Sequence, residues 1–184
     1  SSAATRPNVL FILADDLGYG DLSCYGRPDY RTPVLDEFAR QGMKFMSAYA
    51  AAPVCTPTRC AYITGRYPQR LAVGLQEPLT SSSPADIGLP PSHPTVASLL
   101  KGNGYETALF GKWHHGNTRR GQTTYVHPMD HGFDEFFGFT NARAAWQHFP
   151  KALWHGREER PVSGYADTLF TDRPAFAQAG DLGA

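Results

Sequence analysis

The chain has 184 residues, 41% of them hydrophobic and 18% charged, a balance that favours one folded globular domain over a disordered chain. Seventeen basic side chains offset seventeen acidic ones, so neither a net field nor a basic run points to nucleic acid or an anionic membrane. No apolar stretch is long enough to span a bilayer, and residues 1–8 are small and polar without the apolar run of a signal peptide. Three cysteines, Cys24, Cys55 and Cys60, do not make a disulfide framework, and their odd number leaves at least one outside any internal bridge.

In chain order, residues 8–14 (NVLFILA) form a short apolar run that ends in Asp15-Asp16. The run reads as a strand buried on both faces, as in a parallel sheet under helices. Thr32-Pro33 is a good helix start, Val34, Leu35, Phe38 and Ala39 share one face, and Gly42 is placed to end the helix. Residues 44–49 can form a second strand. A further helix is expected over 58–64, opened by Pro57 and closed by Gly65. Residues 74–93, rich in Ser, Pro and Gly, read as a surface loop. Residues 94–101 are helical by pattern, with Gly102 and Gly104 as stops, and 105–110 form another strand running into Gly111-Lys112-Trp113-His114.

Strands alternating with helices predict an α/β fold with a mainly parallel sheet flanked by helices. In such sheets functional groups gather beyond the carboxyl ends of the strands. Asp15-Asp16 and Lys112/His114 each follow an expected strand, so the pattern predicts that they meet at one sheet edge.

The side chains at these places carry two kinds of chemistry. Adjacent carboxylates such as Asp15 and Asp16 repel unless a hard divalent cation lies between them, although a cap plus a solvated carboxylate is the better fit to the residues alone. Cys55 precedes a helix start, with Arg59 one turn along, and both features favour a thiolate. A buried small apolar residue or a redox thiol are the other readings, and no Cys-x-x-Cys partner is present for the latter.

Cys55-x-Pro57-x-Arg59, continued by Ile63-Thr64-Gly65-Arg66, resembles the signature of the formylglycine-dependent sulfatase family, with Tyr62 where an aliphatic residue is usual. Arg6-Pro7-Asn8 through Asp15-Asp16-Leu17-Gly18-Tyr19-Gly20-Asp21 is similar to the family's opening strand and metal-binding turn. Gly104-Tyr105-Glu106-Thr107-Ala108-Leu109-Phe110-Gly111-Lys112-Trp113-His114 resembles its second signature. Gly132-Phe133-Asp134-Glu135-Phe136-Phe137-Gly138 and Gly164-Tyr165-Ala166-Asp167 resemble later blocks. The blocks follow the family's order and cover nearly the whole chain.

The resemblance implies an alkaline-phosphatase-like α/β fold, of which residues 1–184 are an N-terminal catalytic portion with the C-terminal remainder absent. It implies hydrolysis of a small-molecule or saccharide sulfate ester, and it favours a periplasmic or secreted location. Cys55 would be oxidised by a formylglycine-generating enzyme and act, as the hydrate, as nucleophile. Asp15, Asp16 and Cys55 would ligate Ca²⁺ (or Mg²⁺). Arg59 would hold and polarise the hydrate, Lys112 would bridge it to sulfate, and His114 would contact one hydroxyl and remove its proton to expel sulfate. His115 is a weaker candidate for that base. Asp130-His131 resembles a metal pair in isolation but lies beside a structural block, while His93, His127, His148 and His155 read as surface or core residues. Family members are longer, and their later portion brings further metal ligands, a leaving-group histidine and another lysine that have no counterpart here. A phosphonate or phosphate monoester hydrolase using the same nucleophile, and a catalytically incomplete fragment, remain as alternatives. Nothing in the residues sets an oligomeric state.

Overall fold

The computed structural model describes residues 6–76, 78–80, 82–84, 86–116 and 126–173. The chain divides into two compact units, Leu10–Ala50 and the remainder.

In the larger unit, helix α2 (Cys55–Thr64) begins after an extended Val54 and ends where Gly65 turns left-handed at φ 65°, its N–H donating to the Ala61 carbonyl at 2.8 Å. The helix starts three residues before the expected Thr58. Pro57 stands in the first turn, where its missing N–H would have had no intrahelical partner, so it does not define the first position. Thr95 opens α3 (Val96–Gly102), its hydroxyl accepting the Ser98 N–H at 3.0 Å. Four strands follow: β1 (Ala108–Lys112), β2 (Glu135–Phe139), β3 (Ala152–His155) and β4 (Glu158–Pro161). A short helix α4 (Ala142–Ala145) leaves the end of β2, and α5 (Ala166–Thr171) follows the sheet. The strands pair in chain order, β1 parallel to β2 and the other two pairs antiparallel, so the sheet is open and mixed.

Alternation along β2 explains how the sheet is covered on both sides. Phe136 joins a core with Cys60, Ile63, Leu71, Val73, Leu79, Leu89 and Trp113, whereas Phe137 and Phe139 join Leu153 and Ala166. At the β1–β2 seam Gly111 pairs with Gly138. Gly111 has φ 103°, and a Cβ on Gly138 would lie 2.0 Å from the Gly111 carbonyl oxygen, so glycine is required there.

The described residues of 74–93 are mostly irregular and exposed, as expected of a surface loop, but Leu79, Ser83 and Leu89 are buried and Gly88 bridges to Gly116. His131 is fixed rather than ligating. Its ring nitrogens lie 2.9 Å from the His127 carbonyl and 2.7 Å from that of Leu89, while Asp130 pairs with Arg157 at 2.5 Å.

In the smaller unit, helix α1 (Pro33–Gln41) forms between Thr32 and Gly42 as the sequence predicts. Its expected apolar face is not buried: Val34, Leu35 and Phe38 are exposed. Residues 10–14 and 44–49 form no strand among the described elements, against expectation, and Leu10, Phe11, Ile12, Phe45 and Met46 are exposed. A strand becomes regular only when a neighbour takes its N–H and C=O groups, and no described strand pairs with either run. Polar side chains organise this unit instead. Asp36 accepts from the Ser23 hydroxyl at 2.6 Å, the Cys24 N–H at 2.8 Å and the Thr32 hydroxyl at 3.0 Å. The Tyr25 hydroxyl donates to the Phe45 carbonyl at 2.8 Å.

Candidate active site

Thr56, Arg59, Cys60 and Ile63 recur at helical spacing and form the buried stripe of α2. Cys55 stands beside that stripe at the first helical position, where unpaired backbone N–H groups make the helix end positive. It is half-buried, whereas Cys60 is fully enclosed, its thiol pushed up to about 12 by burial. Of these two thiols, only Cys55 is placed for chemistry.

The stripe ties α2 to the end of β1. Arg59, 5% exposed, donates from Nη1 to the Lys112 carbonyl at 2.6 Å. Past Lys112 the pairing with β2 continues, with the Trp113 N–H on the Phe139 carbonyl at 2.8 Å and the His114 N–H on the Thr140 carbonyl at 3.1 Å. Trp113 is buried against the His115 ring, 4.0 Å between centroids.

His114 then departs from the strand, with φ 57°. Strand alternation therefore does not set the direction of its ring. Its ring is buried, with Nε2 2.9 Å from the Leu79 carbonyl and Nδ1 3.3 Å from the Thr56 hydroxyl. That hydroxyl in turn accepts the Leu79 N–H at 3.1 Å. The structure thus brings Thr56, the neighbour of Cys55, against a side chain 58 residues away.

Among the described residues, Asp16 (φ 61°) and His114 are the two non-glycine positions with left-handed backbone. Both stand in the motifs singled out from sequence, and strained backbone collects at sites whose surroundings over-determine it.

The sulfatase family model matches residues 7–176. This chain belongs to the sulfatase family. Steryl-sulfatase of Mus musculus is 53% identical over 149 residues, covering 77% of this chain and 23% of that protein. N-acetylgalactosamine-6-sulfatase of Sus scrofa is 42% identical over 145 residues, covering 77% and 27%. Among solved structures, the crystal structure of Ps i-CgsB in complex with k-i-k-neocarrahexaose matches with a TM-score of 0.79 at 30% identity, covering 98% of this chain and 43% of that one. The chain spans about a quarter of the length of these curated relatives.

Within this sulfatase-family chain His115 is no base. It is fully enclosed with Nδ1 2.7 Å from the Trp113 carbonyl, and burial pushes its pKa down to about 3. A ring that binds a proton only near pH 3 is neutral packing at physiological pH.

The metal expectation meets a limit of number. Asp15 and Asp16 offer hard carboxylate oxygens at a turn, the right chemistry for Ca²⁺ or Mg²⁺. Ca²⁺ takes about six to eight oxygens, and no group of three or more His, Cys, Asp or Glu side chains stands together among the described residues. The described donor set does not by itself make a metal site.

Sequence reasoning missed Thr56, Leu79 and Thr140 as partners of the site. Thr56 occupies an unassigned position of Cys-x-Pro-x-Arg, and Leu79 lies in the stretch read as surface. The one available signal was that Thr56 shares a helical face with Cys60 and Ile63.

Proposed function

We propose that residues 1–184 are the N-terminal catalytic portion of a sulfate monoester hydrolase, with position 55 as nucleophile. The reading rests on one observation: α2 and the end of β1 are joined through Arg59 to Lys112 and through Thr56 to His114. Two separate motifs thereby converge beside Cys55.

Oxidised to formylglycine by a dedicated modifying enzyme, position 55 supplies a hydrated aldehyde, one hydroxyl for attack on sulfur and one for release. Arg59 and Lys112 supply positive charge against the sulfate oxygens, on a rigid seam that fixes the line of attack. Arg59 is oriented by its bond to the Lys112 carbonyl, which anchors its guanidinium to the end of β1. His114 takes the proton of the remaining hydroxyl. The O–H electron pair becomes the carbonyl bond, and the bond to the sulfate oxygen breaks with its electron pair leaving on sulfate. Asp15, Asp16 and position 55 would hold a Ca²⁺ or Mg²⁺ ion, which would supply further positive charge, with the other ligands coming from outside the described residues.

The names of the relatives support a sulfated organic substrate, either steryl or saccharide, and the neocarrahexaose complex leans towards sulfated sugars. The test is hydrolysis of 4-nitrophenyl sulfate against the matching phosphate and phosphonate esters by the full-length protein, with position 55 read by peptide mass. Turnover of the sulfate ester with aldehyde at 55 is the expected result. Full activity with an unmodified Cys55 thiol would sink the mechanism, and preference for phosphorus would move the assignment to a phosphonate or phosphate hydrolase.

A further inference from the structure

We infer that His155 and Arg173 form a proton-operated latch: neutral His155 holds the end of α5 to the sheet, and protonation releases it. His155 ends β3 and is the cross-strand partner of Phe137 in β2. Arg173 follows the last turn of α5, and its guanidinium lies over the Phe137 ring, 4.5 Å from the centroid. From there one nitrogen, Nη2, donates to two acceptors, Glu135 Oε1 at the start of β2 and His155 Nε2, each at 2.8 Å. Two strands and a helix end are thus joined through a single group.

Arginine has no acceptor, so the His155 Nε2 that it meets offers a lone pair, and the neutral ring carries its proton on Nδ1. A second proton can go only onto Nε2, where it takes the lone pair that Arg173 uses. A hydrogen bond then becomes a contact between two cations, and the imidazolium competes with Arg173 for Glu135. The other charges facing the ring are Glu158, its partner in β4, and Arg160 further along that strand. Partial burial, then Arg173 and Arg160, hold the His155 pKa below its ordinary value, while Glu135 and Glu158 act the other way. The latch is therefore closed above about pH 6.5 and opens as pH falls through the lower folded value. Phe170 stays packed edge-on against Phe137 and Phe139, so release is confined to the last turn. There the Asp172 N–H donates to the Thr168 carbonyl at 3.0 Å and the Arg173 N–H to that of Phe170 at 3.3 Å.

The test uses the full-length protein and two mass-spectrometric readouts. Amide deuterium exchange follows the last turn of α5, and slow exchange of the imidazole C2 hydrogen gives the pKa of His155. Between about pH 7.5 and about pH 5, protection of the last turn, relative to the intrinsic exchange rate, should fall roughly 10-fold, with a midpoint at the His155 titration. His155→Gln keeps an acceptor that does not titrate, so the turn should stay protected at both pH values. Arg173→Gln should leave the turn unprotected at both and raise the His155 pKa towards its ordinary value. The inference is overturned if wild-type protection does not follow the titration, or if the ring stays neutral down to about pH 4. It is equally overturned if His155→Gln loses protection with pH as the wild type does, or if Arg173→Gln leaves the His155 pKa unchanged. The wild-type titration decides the point even if neither variant folds.

Discussion

The two units of this chain use different forces to hold their shape. Ile63, Leu89, Trp113 and Phe136 are wholly buried in the larger unit, which assembles a sheet with helices on both faces. The segment Leu10–Ala50 contributes none of the buried hydrophobic residues, and its order comes from a carboxylate, hydroxyls and main-chain groups around Asp36. Yet its sequence is no less apolar in residues 10–14 than β2 is. A hydrophobic run states what can be buried. Burial itself requires a surface to bury it against.

The contrast can be broken first at the β1–β2 seam. Gly138→Ala forces a methyl into the Gly111 carbonyl, and the strands must separate to admit it. The expected loss exceeds about 4 kcal/mol in denaturant unfolding. A variant with an unchanged midpoint would show that the seam is looser than its spacing implies. Trp113→Ala comes next, emptying the centre of the larger core at about 3–5 kcal/mol and loosening the backbone that carries His114.

A pH titration sharpens the comparison further. His115 has a folded pKa of about 3, below its unfolded value, so the unfolded chain binds the extra proton first. Its contribution is present above roughly pH 6.5 and falls by up to about 1.4 kcal/mol per pH unit as the pH drops towards 3. In His115→Phe that slope should flatten; an unaltered slope would place the acid sensitivity elsewhere. Asp36 gives a local counterpart in the smaller unit. Its carboxyl is held below the usual value, chiefly by the Ser23 hydroxyl, so its effect persists at neutral pH and is lost as pH falls through the acidic carboxylate range. Asp36→Ala should speed hydrogen exchange at the Cys24 amide while leaving amides in β1 and β2 protected. The smallest effect is expected from Phe38→Ser, within about 0.5 kcal/mol, because that ring is 60% exposed. A loss of several kcal/mol there would mean that the face is covered in the full-length protein.

Local punctuation was the most legible part of the fold. Gly42 closes α1, Gly65 closes α2 and Thr95 opens α3 because each acts on backbone groups within one turn of itself, whereas the Thr32 hydroxyl caps no helix N–H and bonds the Asp36 carboxylate instead. The start of α2 was misplaced because proline is tolerated throughout a first turn, not at one position alone. Strands were harder, since their regularity depends on a partner that no local pattern supplies: β1 formed over Ala108–Lys112, later than the expected 105–110, and residues 8–14 did not form one. For the candidate site, Cys55, Arg59, Lys112 and His114 could be named from their motifs. That His114 turns left-handed, and that His115 beside it is sealed against Trp113, could not.

By itself the sequence determined the chemical inventory and the short-range stops: a cysteine before a helix, two cations and a histidine in recognisable order, and glycines where the chain must turn. Those properties reside in single side chains or within one turn of backbone. Tertiary structure alone decided which of two adjacent histidines meets the Thr56 hydroxyl and which becomes neutral core. It also turned Leu79 inward from a largely exposed loop, so that its carbonyl meets the His114 ring. These outcomes depend on burial and on hydrogen bonds between residues far apart in the chain, and such partners exist only after the chain has folded.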